Sequence, residues 1–158
     1  MSPRSFEAPS ERDLERAVAD LERRVARKER PDRYDLRALL LALGSRPESP
    51  EEPPLEGFLA RTRKAAAALG EAFARAAADE LSLACAEHVH AVDPRYLNLP
   101  NYDFAYTLAA RERLEWRLRA AAWLEVDPPE NLLRAVAEAD ERLAPWLGAG
   151  DEGRGERD

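Results

Sequence analysis

The stretch NYDFAYTLAARERLEWRLRAAAWL, residues 101–124, decides the fold of this chain. As a helix it carries two apolar stripes on nearly opposite sides, in alternating steps of four and three residues. One stripe contains Tyr102, Tyr106, Ala109, Arg113, Trp116, Ala120 and Trp123, and the other contains Ala110, Leu114, Leu118, Ala121 and Leu124. A helix needs one apolar stripe to pack on a core. Two stripes predict either the central helix of a bundle or a helix that packs on its own domain and also on a partner.

The amino-acid composition favours helix along the whole chain. Isoleucine is absent, threonine occurs only at Thr62 and Thr107, and alanine, leucine, arginine and glutamate dominate. These four residue types form helices well and strands poorly. A chain of 158 residues is also long enough for one domain that buries roughly 70% of its unfolded surface. We therefore expect an all-α fold with no sheet.

Two helices are predicted before the first proline-rich segment. Ser10 and Asp13 have the spacing of a capping box and open a helix over about residues 11–29. A second, short helix spans about residues 34–43 and is followed by Gly44, a typical helix stop. Its leucines leave no polar side for water, so this helix is expected to be buried or to cover a partner.

Three more helices follow a proline-rich linker over residues 44–54. The third covers about residues 55–91, with a kink or a break near Gly70. The fourth begins at Asn101 or Asp103, after a connection rich in apolar residues. The fifth is opened by Asp127-Pro128-Pro129-Glu130, with Asp127 as the N-cap, and ends at Gly148. The predicted organisation is a disordered N-terminus (1–9), one up-and-down bundle domain of about five helices (10–147) and a disordered tail (148–158).

Net charge and cysteine usage limit the classes of partner. The formal net charge is -7, and the field of an acidic chain repels a phosphate backbone, so direct nucleic-acid binding is not expected. The single cysteine, Cys85, cannot form an internal disulfide. No signal sequence is evident at the N-terminus, and no apolar run approaches the ~20 residues that span a bilayer. We expect a cytoplasmic protein that does not bind a membrane.

Metal ligands come together at one place only. Glu87 and His90 stand three residues apart, which is half of the pattern that carboxylate bundles use for a dinuclear metal. The second half would need a third histidine, which the chain lacks. His88 lies two residues from His90 and points to another side of the helix, so we expect His88 to be a buried, hydrogen-bonded imidazole. No metal site and no cofactor are predicted, with Glu87, His88 and His90 as the only candidates.

Aromatic residues are concentrated between residues 96 and 123. Such side chains are common in cores, in protein interfaces and in ligand pockets, because they bury a large area and keep a polar tip. All three placements are open from the sequence. The predicted partner-binding residues are Tyr96, Tyr102, Tyr106, Arg113, Trp116 and Trp123.

The functional prediction follows from these patterns. No glycine-rich phosphate loop, serine nucleophile motif or paired cysteine motif occurs, and no catalytic residue is predicted. We expect a non-enzymatic helical interaction or adaptor protein that binds a second copy or another protein through the aromatic helix face. One alternative is a metal- or ligand-binding helical-bundle enzyme. Another is an accessory subunit of a nucleic-acid or defence complex, held there by protein contacts.

Overall fold

The computed structural model describes residues 7–157, and the side chains of residues 7–147. Every regular element in this range is helical, which confirms the predicted all-α bundle. None of these helices combines the length and the apolar character needed to cross a bilayer. The described helices are α1 (Glu11–Arg27), α2 (Arg33–Gly44), α3 (Leu55–Leu69), α4 (Glu71–Ala91), α5 (Pro94–Leu97), α6 (Phe104–Trp123) and α7 (Glu130–Arg157).

The core is built around α2. This helix packs against α1, α4 and α6, and its contact with α6 is the most extensive in the bundle. Residues 39–44 are all buried, but Tyr34, Arg37 and Ala38 are exposed, so the prediction that this helix has no side facing water is confirmed only for its C-terminal half. The other helices supply the remainder of the main core, chiefly through Leu14, Val18, Leu21, Leu55, Leu59, Phe73, Ala77, Leu81, Ala120 and Ala121.

α7 packs against the C-terminal half of α4 through two smaller apolar clusters. The first contains Ala84, Cys85, Leu114 and Val136, and the second contains Val92, Leu97, Ala139 and Leu143. Cys85 is fully buried, as predicted for a small core residue. The molecule therefore consists of a main core around α2 and a peripheral helix, α7, held on α4.

Local capping fixes where α1 begins and ends. The Ser10 hydroxyl accepts a hydrogen bond from the backbone N–H of Asp13 at 3.1 Å, and the Ser10 N–H donates to the Asp13 carboxylate at 2.8 Å. This confirms the predicted capping box. The helix ends at Arg27 because Lys28 adopts a left-handed conformation with φ 56°. That end lies two residues before the predicted one.

The third predicted helix is interrupted at Gly70. This glycine has φ +60° and ψ -128°, a conformation that side-chain-bearing residues rarely adopt. α3 ends before it and α4 begins directly after it. The predicted kink or break near Gly70 is therefore confirmed as a break between two helices.

α2 ends at Gly44, as predicted, and this glycine also has a second role in helix packing. It is the last residue of α2, and a Cβ atom added there would lie 1.8 Å from the carbonyl oxygen of Trp116 in α6. The Arg119 guanidinium also donates a hydrogen bond to the Gly44 carbonyl at 2.9 Å. Glycine is required here because the backbones of α2 and α6 touch.

Both apolar stripes of α6 pack largely within the chain. The backbone of Trp116 lies against α2, while Leu114 packs with side chains of α4 and α7. The N-terminal end of the aromatic stripe is open, since Tyr106 is 53% exposed. α6 makes its main contacts with two helices, α2 and α4, whereas α2 packs in this way against three helices and α4 against four, so residues 101–124 are not the central helix of the described bundle.

Some helix boundaries differ from the predicted ones. The connection before α6 contains the short helix α5, capped by the Asp93 side chain. Asp103 caps α6, which was one of the two predicted starts. α7 begins at Glu130, and Asp127 is not its N-cap. The reason is that a residue before a proline avoids the helical conformation, which keeps Pro128 out of the helix.

The chain ends fall partly outside the described residues. α7 continues beyond the predicted end at Gly148 to Arg157, so the predicted disordered tail is wrong over residues 148–157, although this segment contains four glycines that each cost a helix about 1 kcal/mol relative to alanine. Residues 7–9 have no regular structure. The predicted disorder of residues 1–6 and of Asp158 concerns positions outside the described range.

Candidate functional site

A cleft of about 500 Å³ opens between α2, α4 and α6. Its volume is typical of sites for small molecules. We call it the arginine cleft, and it is lined by Arg37, Ala84, Glu87, His88, His90, Ala91, Tyr106, Thr107, Ala110, Arg113 and Arg117.

The arginine cleft is locally basic, although the whole chain carries a net charge of -7. Three arginines and one glutamate line it. Beside Arg117 lies the buried carboxylate of Glu80, which also pairs with Arg33 at 3.5 Å. Leaving the histidines aside, four guanidinium groups face two carboxylates, an excess of two positive charges. These groups are Arg33, Arg37, Arg113, Arg117, Glu80 and Glu87.

Arg117 is the most unusual member of this group. It is 6% exposed, and its guanidinium makes no hydrogen bond to any described residue. Its Nε lies 3.3 Å from Oε1 of Glu80, an ion-pair distance without the geometry of a hydrogen bond. Burial lowers the pKa of Arg117 and raises the pKa of Glu80, and their mutual attraction opposes both shifts. The attraction between Arg117 and Glu80 therefore offsets only part of the cost of burying their charges.

Two further arginines of the cleft make no hydrogen bond or ion pair within the described part of the chain. Arg37 is exposed on α2, and Arg113 is half-buried on α6. Burial lowers the pKa of Arg113, and the nearby charge of Arg37 lowers it further. The two cations repel each other and have donors available for a bound group.

His88 forms the floor of the cleft on the α4 side. It is 3% exposed, and its Nε2 lies 2.7 Å from the carboxylate of Asp140 on α7. Arg111 donates to both oxygens of the same carboxylate, from Nε to Oδ1 at 3.0 Å and from Nη2 to Oδ2 at 3.0 Å. The predicted buried, hydrogen-bonded imidazole is thus confirmed.

The charge states of this network follow from its partners. Burial raises the pKa of Asp140, but the hydrogen bonds from Arg111 and His88 outweigh it and lower the pKa below its usual value. Burial lowers the pKa of His88 despite the neighbouring carboxylate. Nε2 of a neutral imidazole then donates to Asp140, so Nδ1 is an acceptor, and it is buried without a partner.

The three metal candidates are not arranged as a ligand set. Glu87 and His90 are exposed, whereas the buried ring of His88 is engaged with Asp140. In the part of the chain that the structure describes, no group of three or more His, Cys, Asp or Glu side chains is placed to hold a metal ion. Burial also raises the pKa of Cys85, which keeps its thiol protonated.

The structure separates the six predicted partner-binding residues into three places. Tyr106 and Arg113 both line the arginine cleft. Tyr96 packs edge-on against His90, with ring centroids 5.2 Å apart. The Tyr102 hydroxyl donates to the carbonyl of Ala91 at 2.7 Å, which links the end of α4 to the start of α6.

The two tryptophans of α6 form the third place. Trp116 is half-buried with its backbone against α2, and Trp123 is half-buried against the main core. The Trp123 carbonyl accepts a hydrogen bond from Arg63 at 2.9 Å. The aromatic residues therefore do not form one continuous surface.

A second concave surface lies between α6 and α7, which both pack on α4. This α6–α7 groove has a volume of about 450 Å³. Its apolar part includes Leu108, 42% exposed, and the exposed Ala144. It is lined by Leu108, Arg111, Glu112, Glu115, Asp140, Leu143, Ala144 and Leu147.

The sequence analysis missed two arginines of the cleft, Arg37 and Arg117. A signal for Arg117 was available, because it lies three residues after Leu114 and four before Ala121, on an apolar stripe. Glu80 likewise lies four residues from Ala76 and from Ala84 on the apolar face of α4. Opposite charges inside two apolar stripes indicate a buried pair. Arg37 gave no such signal, since it reads as a solvated position.

Comparison with known proteins does not add a relationship. No protein-family model, no curated protein and no solved structure matches this chain. The functional argument therefore depends on the geometry of the arginine cleft and of the α6–α7 groove.

Proposed function

We propose that this chain is a non-enzymatic helical interaction protein and that its partner binds in the α6–α7 groove. The observation that carries this proposal is a groove, lined by four apolar and four charged side chains, between two helices that share α4 as a common support. Ridges of side chains on a third helix pack into such grooves between helices in helical bundles. Leu108, which lines this groove, is a large apolar side chain at 42% exposure.

The charge of the groove selects the kind of partner. Glu112 and Glu115 stand along its α6 side, and the Glu115 side chain is 53% exposed even though it pairs with Arg111. A partner helix with leucines on one face and lysines or arginines beside them is complementary to this arrangement. If a second copy docked through the same groove, its Glu112 and Glu115 would lie against those of the first copy, and the like charges would repel. We therefore assign the groove to another protein.

Two designed peptides test this assignment with purified full-length protein. One is an amphipathic helix of leucine and lysine, and the other has the same pattern with glutamate in place of lysine. We expect the leucine–lysine peptide to bind, as measured by fluorescence anisotropy, and the leucine–glutamate peptide not to bind. Ala144→Arg should weaken binding about tenfold or more, since it places bulk and positive charge in the groove.

The matched control is Ala74→Arg, the same change at an exposed alanine of α4. Equal weakening by both variants would refute the proposal, because it would mean general attraction to an acidic protein. Comparable binding of the two peptides would refute it as well. If light scattering showed a dimer that Ala144→Arg disrupts, the groove would belong to a second copy instead.

A further inference from the structure

The arginine cleft holds more positive charge and more hydrogen-bond donors than its own side chains compensate. Arg117 is 6% exposed and has no hydrogen bond, and neither Arg37 nor Arg113 has an ion-pair partner in the described chain. Unpaired buried donors destabilise a fold, and an arriving acceptor removes that penalty. We propose that the arginine cleft binds a small organic phosphate monoester in its dianionic form.

The number and type of charges select this chemical class. Four guanidinium groups and two carboxylates leave two positive charges in excess. A phosphate monoester brings about two negative charges and three terminal oxygens near neutral pH. Guanidinium groups bind phosphate with paired hydrogen bonds, and three of them line this cleft. A single carboxylate would bring one charge and two oxygens, too few for three arginines.

The remaining walls leave room for the organic part of the ligand. A volume of about 500 Å³ is much larger than a phosphate group requires. Ala84, Ala91 and Ala110 supply small apolar surfaces, and Tyr106 lies beside them in the lining. The buried Nδ1 of His88 needs a donor, which a hydroxyl or amine of the organic part can supply.

The overall charge favours a small ligand over a polyanion. The chain carries a net charge of -7, so a long nucleic acid or an acidic surface meets repulsion beyond the cleft. Charges separated by more than about 8 Å are largely screened at physiological salt. A small dianion inside the cleft therefore interacts mainly with the local arginines.

Isothermal titration calorimetry of the full chain tests this site with two probes, phenyl phosphate and succinate. Both are dianions at pH about 7.5, above the second phosphate pKa of about 6, but only one carries a phosphate. We expect saturable binding of phenyl phosphate and weaker binding of succinate at equal ionic strength. Inorganic phosphate should compete with phenyl phosphate, with lower affinity because it lacks the organic group.

Variants of the lining separate this site from general charge effects. Arg113→Gln and Arg37→Gln break no hydrogen bond of the described chain, and each should weaken binding roughly tenfold or more. Arg75→Gln makes the same charge change on the exposed N-terminal part of α4 and should change affinity less than twofold. Glu87→Gln removes a repelling charge and should tighten binding several-fold.

Several results would overturn the phosphate assignment. They are the absence of saturable binding of phenyl phosphate at millimolar concentration, equal affinity for succinate, and equal weakening by Arg75→Gln and Arg113→Gln. The assignment would also be overturned if Ala144→Arg abolished the binding of phenyl phosphate, since Ala144 lies in the α6–α7 groove and not in the arginine cleft. The two sites are tested by different variants, so either proposal can fail without the other.

Discussion

Gly44 offers a direct test of how closely α2 and α6 pack. In Gly44→Ala the new Cβ would stand 1.8 Å from the Trp116 carbonyl oxygen and 2.8 Å from the Trp116 Cα. Ordinary contact begins at 3.4 Å, and the atoms in the way are backbone, so no side chain can rotate aside. The two helices must move apart along the most extensive contact of the bundle.

Two opposing contributions decide whether Gly44→Ala stabilises or destabilises the fold. Replacing a helical glycine by alanine stabilises a protein by about 0.4 to 1 kcal/mol where the backbone permits it. Overpacking costs about 1 to 3 kcal/mol, and the upper value applies to a rigid backbone contact. We expect Gly44→Ala to lower the free energy of unfolding by about 2 kcal/mol. For a domain of this size that is a fall in Tm of roughly 4 to 8 °C.

Thermal and urea denaturation followed by circular dichroism at the helix band measures this change. Gly57→Ala is the matched control, because its Cβ would have no atom within 4 Å and α3 is regular there. We expect Gly57→Ala to raise the free energy of unfolding by up to about 1 kcal/mol. If Gly44→Ala is as stable as wild type while Gly57→Ala behaves as expected, the inferred contact between α2 and α6 is wrong.

Four further predictions follow from the described contacts. Ser10→Ala removes the α1 capping box and should cost about 1 kcal/mol in urea denaturation, with no change in the m value. Trp123→Ala should cost about 3 kcal/mol by the same assay, because Trp123 packs on the main core, and near-neutral stability would make it a surface residue. Burial lowers the pKa of His88 below its usual 6.5, so the unfolded chain takes up this proton first as the pH falls. Stability should therefore decrease below pH 6.5, and a pH series of urea denaturation on His88→Asn should lose this component. The double variant Glu80→Leu with Arg117→Met should be about as stable as wild type, whereas Arg117→Met alone should lose up to about 3 kcal/mol because it leaves the buried Glu80 with only Arg33, at 3.5 Å, as its ion-pair partner. Differential scanning calorimetry of both distinguishes these outcomes.

Local signals in the sequence predicted most of the helices. The capping box at Ser10 and Asp13, the break at Gly70 and the cap at Asp103 all depend on interactions within a few residues, and the structure has each of them. The burial of residues 39–44 followed from the leucines of α2. Such features can be found without knowing which helices are neighbours.

Features that depend on distant neighbours could not be found in this way. Gly44 is the helix end that its sequence context predicts, yet its close packing is set by Trp116, which is 72 positions further along the chain. The arginine cleft likewise combines Arg37 of α2 with residues of α4 and α6. The sequence pattern placed Tyr106 and Arg113 on one stripe, but it could not show that an arginine from a third helix faces them.

The buried charges of the cleft contribute little to the stability of the fold. A buried ion pair commonly gives no net stability relative to apolar residues of similar size, because desolvation offsets the attraction. Arg117 and Glu80 are a weak case even among such pairs, since their shortest distance is 3.3 Å and Arg117 has no hydrogen bond. We expect an apolar pair at these two positions to complete the stripes of α4 and α6 with little change in stability. Stability therefore does not account for a guanidinium at this position, which is consistent with the proposed site, where a dianion would supply acceptors to Arg117.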